Sequence, residues 1–227
     1  MFRSILFLNG TLPNLNKLSC MKTLTSIAAD GGALRNLLKR GYLPQIVIGD
    51  GDSLKESGNL NSIKIILNDD QETTDFEKCL QYIEESKLLP TLVCGIGGGE
   101  IDHQHNNLHC FAKYTKTHPM VFVDSQPGYK TKIGLSVRKH LTLEAEVGTT
   151  LSILPFPEAS ISSKGLAWNL KNERLAILKR SGARNRILDP KIIIEVNEGG
   201  PVLVVLDSRA VHNVIVDGWK VGRVNFD

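Results

Sequence analysis

The feature that most constrains this chain is an alternation of strand-like and helix-like patterns through its first 125 residues. Such alternation is typical of βαβ units, in which parallel strands form a sheet that helices cover. We expect strands at residues 4–8, 25–29, 45–48, 62–67, 91–94 and 120–123. The pattern therefore predicts a mostly parallel sheet in the N-terminal part of the chain.

Three helices are expected between these strands. The first covers about residues 33–40 and stops at Gly41, which suits the end of a helix. The second begins at a capping box formed by Thr74 and Glu77, and the third runs over about residues 102–116. Strands and helices together predict a Rossmann-like α/β fold with flanking helices.

After residue 124 no convincing amphipathic helix is found, and short alternating runs take over. These runs cover residues 141–143, 150–154, 166–170, 175–178, 192–196, 202–206 and 214–216, with turn residues between them. Their spacing predicts an all-β sandwich of the jelly-roll-like kind. We therefore divide the chain into an α/β domain at residues 1–130 and a β-sandwich domain at residues 131–227.

Composition excludes several classes of protein. A hydrophobic fraction of 41% and a charged fraction of 22% are those of a globular chain, and its apolar runs are too short to cross a membrane. The apolar N-terminus is interpreted as a first strand and not as a secretion signal. The four cysteines contain no Cys-x-x-Cys pair, which indicates reduced thiols and a cytoplasmic protein: Cys20, Cys79, Cys94 and Cys110.

Charge is divided unevenly between the two halves. Residues 131–227 hold 14 Lys and Arg against 10 Asp and Glu, while the whole chain carries a net charge of +3. The basic residues at 179–191 could meet a phosphate group, although a solvated strand face explains them as well. Nucleic-acid binding is disfavoured because interleaved aromatic residues and a strong net charge are missing.

Carboxylates follow the predicted strands. Asp50 and Asp52 come directly after the strand at 45–48, and Gly51 between them permits a tight turn that points both side chains at one hard cation such as Mg²⁺. By itself this segment could be an ordinary surface turn. Asp30 and Asp124 follow two other strands, and ligands bind at the carboxyl edge of a parallel sheet.

Two further segments can join that edge. Asp75 lies in the first turn of the second helix, where stabilisation of the helix dipole also explains an acidic residue. The glycines of residues 95–99 precede the third helix, and their amides could hold an anion, although they match neither the Walker loop nor the dinucleotide fingerprint. Carboxylates beside an anion site indicate a phosphorylated substrate bound with Mg²⁺.

Zinc is a competing interpretation. His105 and His109 are one helical turn apart and near His103, which is a spacing that zinc can use. No Glu stands between them in the metalloprotease pattern, however, and exposed histidines on the outer face of a helix are the commoner case.

Four segments, in this order, resemble the thiamine pyrophosphokinase family. They are residues 29–33 (Ala-Asp-Gly-Gly-Ala), 48–53 (Ile-Gly-Asp-Gly-Asp-Ser), 70–80 (Asp-Gln-Glu-Thr-Thr-Asp-Phe-Glu-Lys-Cys-Leu) and 97–103 (Gly-Gly-Gly-Glu-Ile-Asp-His). The block at 70–80 is the most specific of them. Residues 165–170 and 181–185 more loosely resemble motifs of the family's thiamine-binding domain.

The resemblance implies an enzyme that converts ATP and thiamine into thiamine diphosphate and AMP. It also implies a homodimer whose active site lies between the catalytic domain of one subunit and the second domain of the other. The family pattern further implies that Mg²⁺ on the triphosphate is held by three catalytic carboxylates: Asp50, Asp52 and Asp75. Of these, Asp75 or Asp52 would orient or deprotonate the hydroxyl of thiamine.

The same resemblance assigns the binding residues. It places five residues at the nucleotide: Asp30, Gln71, Gly98, Gly99 and Asp102. It places three at thiamine: Trp168, Ser181 and Asn185. Trp168 could stack on an aromatic heterocycle, and a core tryptophan of the sandwich is the alternative explanation.

The chain also departs from the family pattern. Glu100 stands where the family usually has Arg, and Arg184 stands where it usually has Ser. Two alternatives therefore remain open. The first is a pyrophosphokinase for another hydroxymethyl heterocycle of the pterin type, and the second is a protein that binds thiamine or a nucleotide without turnover.

Overall fold

A computed structural model describes residues 2–18, 23–52, 62–115 and 119–221 of the chain. Three residues considered above lie outside the described ranges, namely Cys20, Ser53 and Lys116.

Six parallel strands form the N-terminal part of a large sheet. They are β1 (Ser4–Phe7), β2 (Thr25–Ala29), β3 (Ile46–Gly49), β4 (Lys64–Leu67), β5 (Thr91–Cys94) and β6 (Met120–Asp124). Their spatial order is β6-β5-β1-β2-β3-β4, and all neighbours in this order are parallel. Most of these strands are buried on both faces, as expected where helices cover a parallel sheet. The predicted strands are confirmed, with bounds that differ by up to two residues.

Three helices cover this sheet: α1 (Asp30–Leu38), α2 (Asp75–Glu85) and α3 (Ile101–Tyr114). The predicted capping box of α2 is present, because the Glu77 amide donates to Thr74 Oγ1 at 3.3 Å and the Thr74 amide donates to Glu77 Oε2 at 3.1 Å. Helix α1 begins three residues earlier than predicted. A short 3-10 helix at Leu15–Lys17 precedes β2.

The C-terminal half is built from strands. They are β7 (Lys132–Val137), β8 (His140–Ala145), β9 (Thr150–Pro155), β10 (Glu158–Lys164), β11 (Glu173–Ala176), β12 (Gly182–Arg186), β13 (Lys191–Gly199), β14 (Val202–Asp207), β15 (Val211–Val216) and β16 (Trp219–Val221). One 3-10 turn, Ser208–Ala210, interrupts them. Strands β11-β10-β13-β8-β15-β16 form a second, antiparallel sheet that packs on the first through buried aliphatic residues. The predicted fold class, a parallel α/β sheet followed by a β-sandwich, is confirmed.

The two halves share one sheet. Strand β7 pairs antiparallel with β6, so that Asp124 lies opposite Lys132, and β14, β9 and β12 continue the same sheet outward. The ten-stranded sheet therefore crosses residue 131, where the sequence predicts a domain boundary. That boundary stays a prediction.

The strand predicted at residues 166–170 is wrong. These residues form turns with a single bridge between Leu166 and Ile187. Side chains take the backbone groups that a strand would use, because Asn169 Oδ1 accepts from the Leu166 amide at 3.0 Å and Ser163 Oγ accepts from the Leu170 amide at 2.9 Å. Four strands were not predicted, namely β7, β10, β12 and β16, because they are short or rich in small and polar residues.

Packing between the two sheets predicts a difference between two isoleucines of the C-terminal half. Ile194 is fully buried between the sheets, whereas Ile177 is exposed beyond the end of β11. Ile194→Ala is expected to lower the free energy of unfolding by about 2–5 kcal/mol, since it leaves a cavity in the core. Ile177→Ala is the matched control and should change it by less than about 0.5 kcal/mol. Urea unfolding followed by circular dichroism measures both, and equal effects would contradict this description of the core.

Candidate active site

A cleft of about 740 Å³ opens at the carboxyl edge of the parallel strands. It lies where the strand order reverses, since the chain leaves β1 toward β2 on one side and leaves β5 toward β6 on the other. The loops on the two sides of such a switch point diverge and leave a crevice between them. Residues from the ends of β1, β2 and β3, from the segment between β4 and α2, and from the start of α3 line the cleft.

Most of the site residues predicted for the N-terminal half meet in this cleft. The lining includes Asp30, Asp50, Gln71, Asp75, Gly98, Gly99 and Asp102. Asp52 lies beside the cleft and is not part of its lining. Its amide donates a hydrogen bond to Asp50 Oδ1 at 3.0 Å, so the turn predicted around Gly51 is present and orients Asp50.

The cleft is strongly acidic. Six carboxylates line it, and Lys78 is the one lysine or arginine in the described lining: Asp30, Asp50, Asp70, Asp75, Glu100 and Asp102 are the acidic residues. The side chain of Lys78 is only 4% exposed, and its Nζ lies 3.4 Å from Asp75 Oδ1. Such an excess of like charge favours a ligand that brings cations with it.

The pKa of the Asp75 carboxyl is raised in this acidic cleft. Burial raises the pKa of the Asp75 carboxyl, the ammonium of Lys78 opposes that rise, and the carboxylates of Asp30 and Asp50 add to it. These three carboxylates are therefore close enough to influence one another. A cation between them would relieve the repulsion and would favour the charged form of Asp75.

Asp30 presents an unsatisfied oxygen at the same place. Its Oδ1 is buried and has no hydrogen-bond partner, and its backbone is in the left-handed region with a φ of 63°. A Cβ atom on Gly49 would lie 2.9 Å from this oxygen, so glycine at that position makes room for the carboxylate. A buried oxygen without a partner costs free energy, which a bound ligand or cation can recover.

The segment between β4 and α2 is folded by its own polar side chains. Asp70 accepts hydrogen bonds from the Glu72 amide at 2.9 Å and from Thr73 Oγ1 at 2.6 Å. The Thr73 hydroxyl is the main reason that the pKa of the Asp70 carboxyl is lowered. This local turn places Gln71 at the rim of the cleft and leads into the capping box of α2.

The glycine-rich loop packs tightly on the loop that follows β1. The Gly10 amide donates to the Gly95 carbonyl at 3.1 Å, and the Thr11 amide donates to the Gly97 carbonyl at 2.7 Å. Asn36 Nδ2 holds the Gly10 carbonyl at 2.9 Å from the side of α1. Gly98 has a φ of 79° and meets Thr11 closely, which only glycine permits.

Amides at two helix ends face this region without side-chain caps. Neither Ala29, before α1, nor Glu100, before α3, caps its helix with a side-chain hydrogen bond. Free amides at a helix N-terminus and in a glycine loop bind anions. The loop and the start of α1 can therefore take phosphate groups, whereas at the start of α3 the Asp102 carboxylate accepts from the His103 amide at 2.9 Å and Glu100 places a second carboxylate nearby.

Asn9, Gly10 and Lys78 are among the lining residues that the sequence analysis did not predict as site residues. Asn9 and Gly10 follow β1 and line the cleft, and the rule that strand ends form the site could have found them. Lys78 was included in the segment at 70–80 but was given no role. Its distance of three residues from Asp75 places the two on one helix face, which was the available signal.

The residues predicted to bind thiamine lie elsewhere in the chain. Trp168, Ser181 and Asn185 are not in the lining of the cleft. The side chain of Trp168 is 64% exposed, so it is not a core tryptophan of the sandwich. A single chain therefore presents two separate surfaces, the acidic cleft and an exposed tryptophan.

Asn185 holds the exposed tryptophan in place. Its Oδ1 accepts from the Trp168 amide at 3.1 Å and from the Arg186 amide at 2.8 Å, while its Nδ2 donates to the Trp168 carbonyl at 2.8 Å. Asn185 is only 6% exposed. These hydrogen bonds attach the turn at residues 165–170 to β12.

Two kinds of feature are absent from the described ranges. No group of three or more His, Cys, Asp or Glu side chains there has the arrangement of a metal site, and His103, His105 and His109 are all exposed. None of the helices in those ranges is both long enough and apolar enough to span a membrane.

Comparison with known proteins gives consistent matches in both halves. Residues 17–123 match the family model of the thiamin pyrophosphokinase catalytic domain, and residues 138–200 match that of the thiamin pyrophosphokinase vitamin B1 binding domain. Thiamine pyrophosphokinase 1 of Arabidopsis thaliana is 26% identical, over 85% of this chain and 82% of its own length.

Solved structures show the same fold. Thiamine pyrophosphokinase from Bacillus subtilis superposes with a TM-score of 0.74 at 18% identity, covering 90% of this chain and 99% of that one. The yeast thiamin pyrophosphokinase gives a TM-score of 0.72 at 19% identity, covering 93% and 86%. With both family models matched in order and the strand-end motifs assembled in one cleft, this chain belongs to the thiamine pyrophosphokinase family.

Proposed function

We infer that this protein transfers a diphosphate group from ATP to the hydroxyl of thiamine, which gives thiamine diphosphate and AMP. The observation that carries this inference is the convergence of the family's separate motifs on one acidic cleft with a glycine-rich loop. Acidic residues and free backbone amides in one cleft suit a polyphosphate that is bound together with cations.

ATP occupies the cleft in this proposal. Gly98 and Gly99 offer amides to its phosphates, and Asp30, Gln71 and Asp102 line the same space. Lys78 supplies positive charge from the floor of the cleft. Because Glu100 stands at the rim, this chain depends more on bound cations than one with a basic residue there.

Mg²⁺ fits the donor set. Asp50 and Asp75 line the cleft and Asp52 flanks it, and all three are carboxylates, which Mg²⁺ prefers. The buried Oδ1 of Asp30 has no hydrogen-bond partner, and the charges of Asp30 and Asp50 add to burial in raising the pKa of Asp75, so a cation bound there would be stabilised. Protein sites commonly hold Mg²⁺ with one or two carboxylates plus phosphates, so a compact protein cluster is not required. When bound, the ion neutralises charge on the triphosphate.

The reaction needs alignment more than covalent chemistry. The hydroxyl oxygen of thiamine forms a bond to the β-phosphorus, the bond from that phosphorus to the oxygen bridging the α-phosphate breaks, and AMP leaves with that oxygen. Most of the acceleration then comes from positioning and charge stabilisation. The hydroxyl proton passes to a carboxylate. Asp75 is better suited than Asp52, because Asp75 lines the cleft whereas Asp52 lies beside it.

Thiamine is held by the second half of a partner chain. Trp168 offers an exposed ring for stacking, Asn185 of β12 contacts its backbone, and Ser181 directly precedes that strand. Asn185 has one N–H left for the substrate after it has bound the Trp168 backbone. An exposed apolar patch forms there with Leu188, which is 59% exposed and whose amide donates to the Gly165 carbonyl of the same turn. Such a patch supports a homodimer whose active sites lie between subunits.

In this proposal the two predicted domains bind different substrates. Residues 1–130 bind ATP and Mg²⁺, and residues 131–227 bind thiamine, although both parts contribute strands to one sheet. Cys79, Cys94 and Cys110 are buried and form no disulfide, which supports a cytoplasmic location.

An acceptor panel tests the reaction. With ATP and MgCl₂, release of AMP should require thiamine, and mass spectrometry should identify thiamine diphosphate as the second product. AMP release with a hydroxymethylpterin and none with thiamine would assign a different acceptor. Thiamine binding measured by calorimetry without AMP release would assign a binding protein instead of an enzyme.

Removal of the proposed base tests the role of Asp75. Asp75→Asn keeps the size of the side chain and should lower kcat by about 100-fold or more at saturating Mg²⁺. Asp69→Asn is the matched control, because Asp69 is exposed on the adjacent segment outside the cleft lining, and its kcat should stay within about twofold. Near-normal turnover by Asp75→Asn would show that another group takes the proton.

Complementation tests the shared active site. A heterodimer with Asp75→Asn on one chain and Trp168→Ala on the other can be isolated with two affinity tags. One of its two sites then contains both changes and the other neither, so about half of the wild-type activity is expected at low thiamine concentration. Activity no higher than that of the two variant homodimers would place each site within one chain.

A further inference from the structure

Asp124 is a half-buried carboxylate that the proposed chemistry does not use. It ends β6, one strand away from β5 and its glycine-rich loop, and is not in the lining of the cleft. Burial raises the pKa of the Asp124 carboxyl, and hydrogen bonds from Gln126 and from the Gly97 amide oppose that rise. A carboxylate that is partly buried outside the cleft is expected to have a structural role.

The partners of Asp124 show what it holds. Its Oδ1 and Oδ2 accept from Gln126 Nε2 at 3.2 and 3.4 Å, and Gly97 packs against both side chains. On the opposite side, the Gly97 carbonyl accepts from the Thr11 amide at 2.7 Å. Gly97 is thus held from two sides, immediately before the two glycines that line the cleft.

Close packing explains why residue 97 is glycine. Its backbone is not in the left-handed region, so conformation alone does not require glycine there. A Cβ atom would lie 2.5 Å from Asp124 Oδ1 and 2.5 Å from Gln126 Nε2. The loop therefore lies directly on the Asp124–Gln126 pair, and any larger residue would displace it.

Side chains of another element hold the rest of the loop. Asn107 Nδ2 donates to the Ile96 carbonyl at 3.1 Å, and Gln104 Nε2 donates to the Gly99 carbonyl at 2.9 Å. Both come from α3, whereas Asp124 belongs to the sheet and pairs with Lys132 of β7. Asp124 thus attaches the loop to the place where the two halves of the sheet meet.

We propose that Asp124, together with Gln126, is a positioning residue that fixes the glycine-rich loop for the phosphates of ATP. The proposal rests on the proposed function, because it takes the cleft as the ATP site. Loss of this support leaves the chemical groups in place and weakens the binding of ATP in particular. Thiamine affinity should not change, since this pair packs on the loop that is assigned to the phosphates.

The test exchanges the carboxylate of residue 124 and the amide of residue 126. Asp124→Asn turns an acceptor oxygen into an N–H group that opposes Gln126 Nε2, and the KM for ATP should rise about five- to tenfold, the effect of losing one hydrogen bond. The value of kcat should change by less than about twofold, and so should the KM for thiamine. Asp124→Asn combined with Gln126→Glu restores one carboxylate and one amide and should return the KM for ATP to within about twofold of wild type.

Binding of a non-hydrolysable ATP analogue separates this proposal from the proposed function. Weaker analogue binding by Asp124→Asn, with recovery in the double variant, supports the positioning role even if the wild type releases no AMP with thiamine. That latter result would count against the proposed function alone. A folded Asp124→Asn protein with wild-type affinity for the analogue would overturn the positioning role, and so would a double variant that shows no recovery.

Discussion

Parallel strands end at the same edge of their sheet, and this shared direction brings six carboxylates into one cleft. These carboxylates repel one another, and the charges of Asp30 and Asp50 add to burial, the main cause, in raising the pKa of the Asp75 carboxyl. Despite this repulsion, the arrangement forms a site for a ligand that carries both phosphate and cations. Lys78 neutralises only part of the negative charge of the cleft, so the ligand must supply the remaining positive charge.

Backbone packing holds the cleft in shape around this repulsion. The loop after β1 and the glycine-rich loop after β5 exchange amide-to-carbonyl hydrogen bonds at Gly10 and Thr11. Asn36 supports one loop from α1, and Asp124 supports the other from β6. Glycines at these positions let the two loops approach within hydrogen-bonding distance, which larger residues would prevent. The anion site is therefore formed by backbone that elements outside the cleft keep in place.

The continuous sheet makes the two halves one structural unit while it separates two functional surfaces. Pairing of β6 with β7 extends the parallel sheet into the antiparallel strands. The turn that carries Trp168 is attached to β12 at the far edge of this sheet, whereas the cleft lies over its parallel strands. Asn185 uses its Oδ1 and one of its two N–H groups to bind the backbone of Trp168 and Arg186, and these bonds hold the exposed indole in place. The two surfaces of one chain are therefore separate, and we propose that a second chain brings them together.

The sequence by itself determined the parallel sheet, the capping box of Thr74 and Glu77 and the position of most cleft residues. These depend on local signals, namely hydrophobic periodicity, helix caps and the rule that parallel strands share a carboxyl edge. Only the tertiary structure decided that Asp52 lies beside the cleft, that Asp124 holds Gly97 and that Asn185 holds Trp168. Those outcomes depend on which distant backbone groups come within hydrogen-bonding reach, and periodicity along the chain carries no record of such contacts.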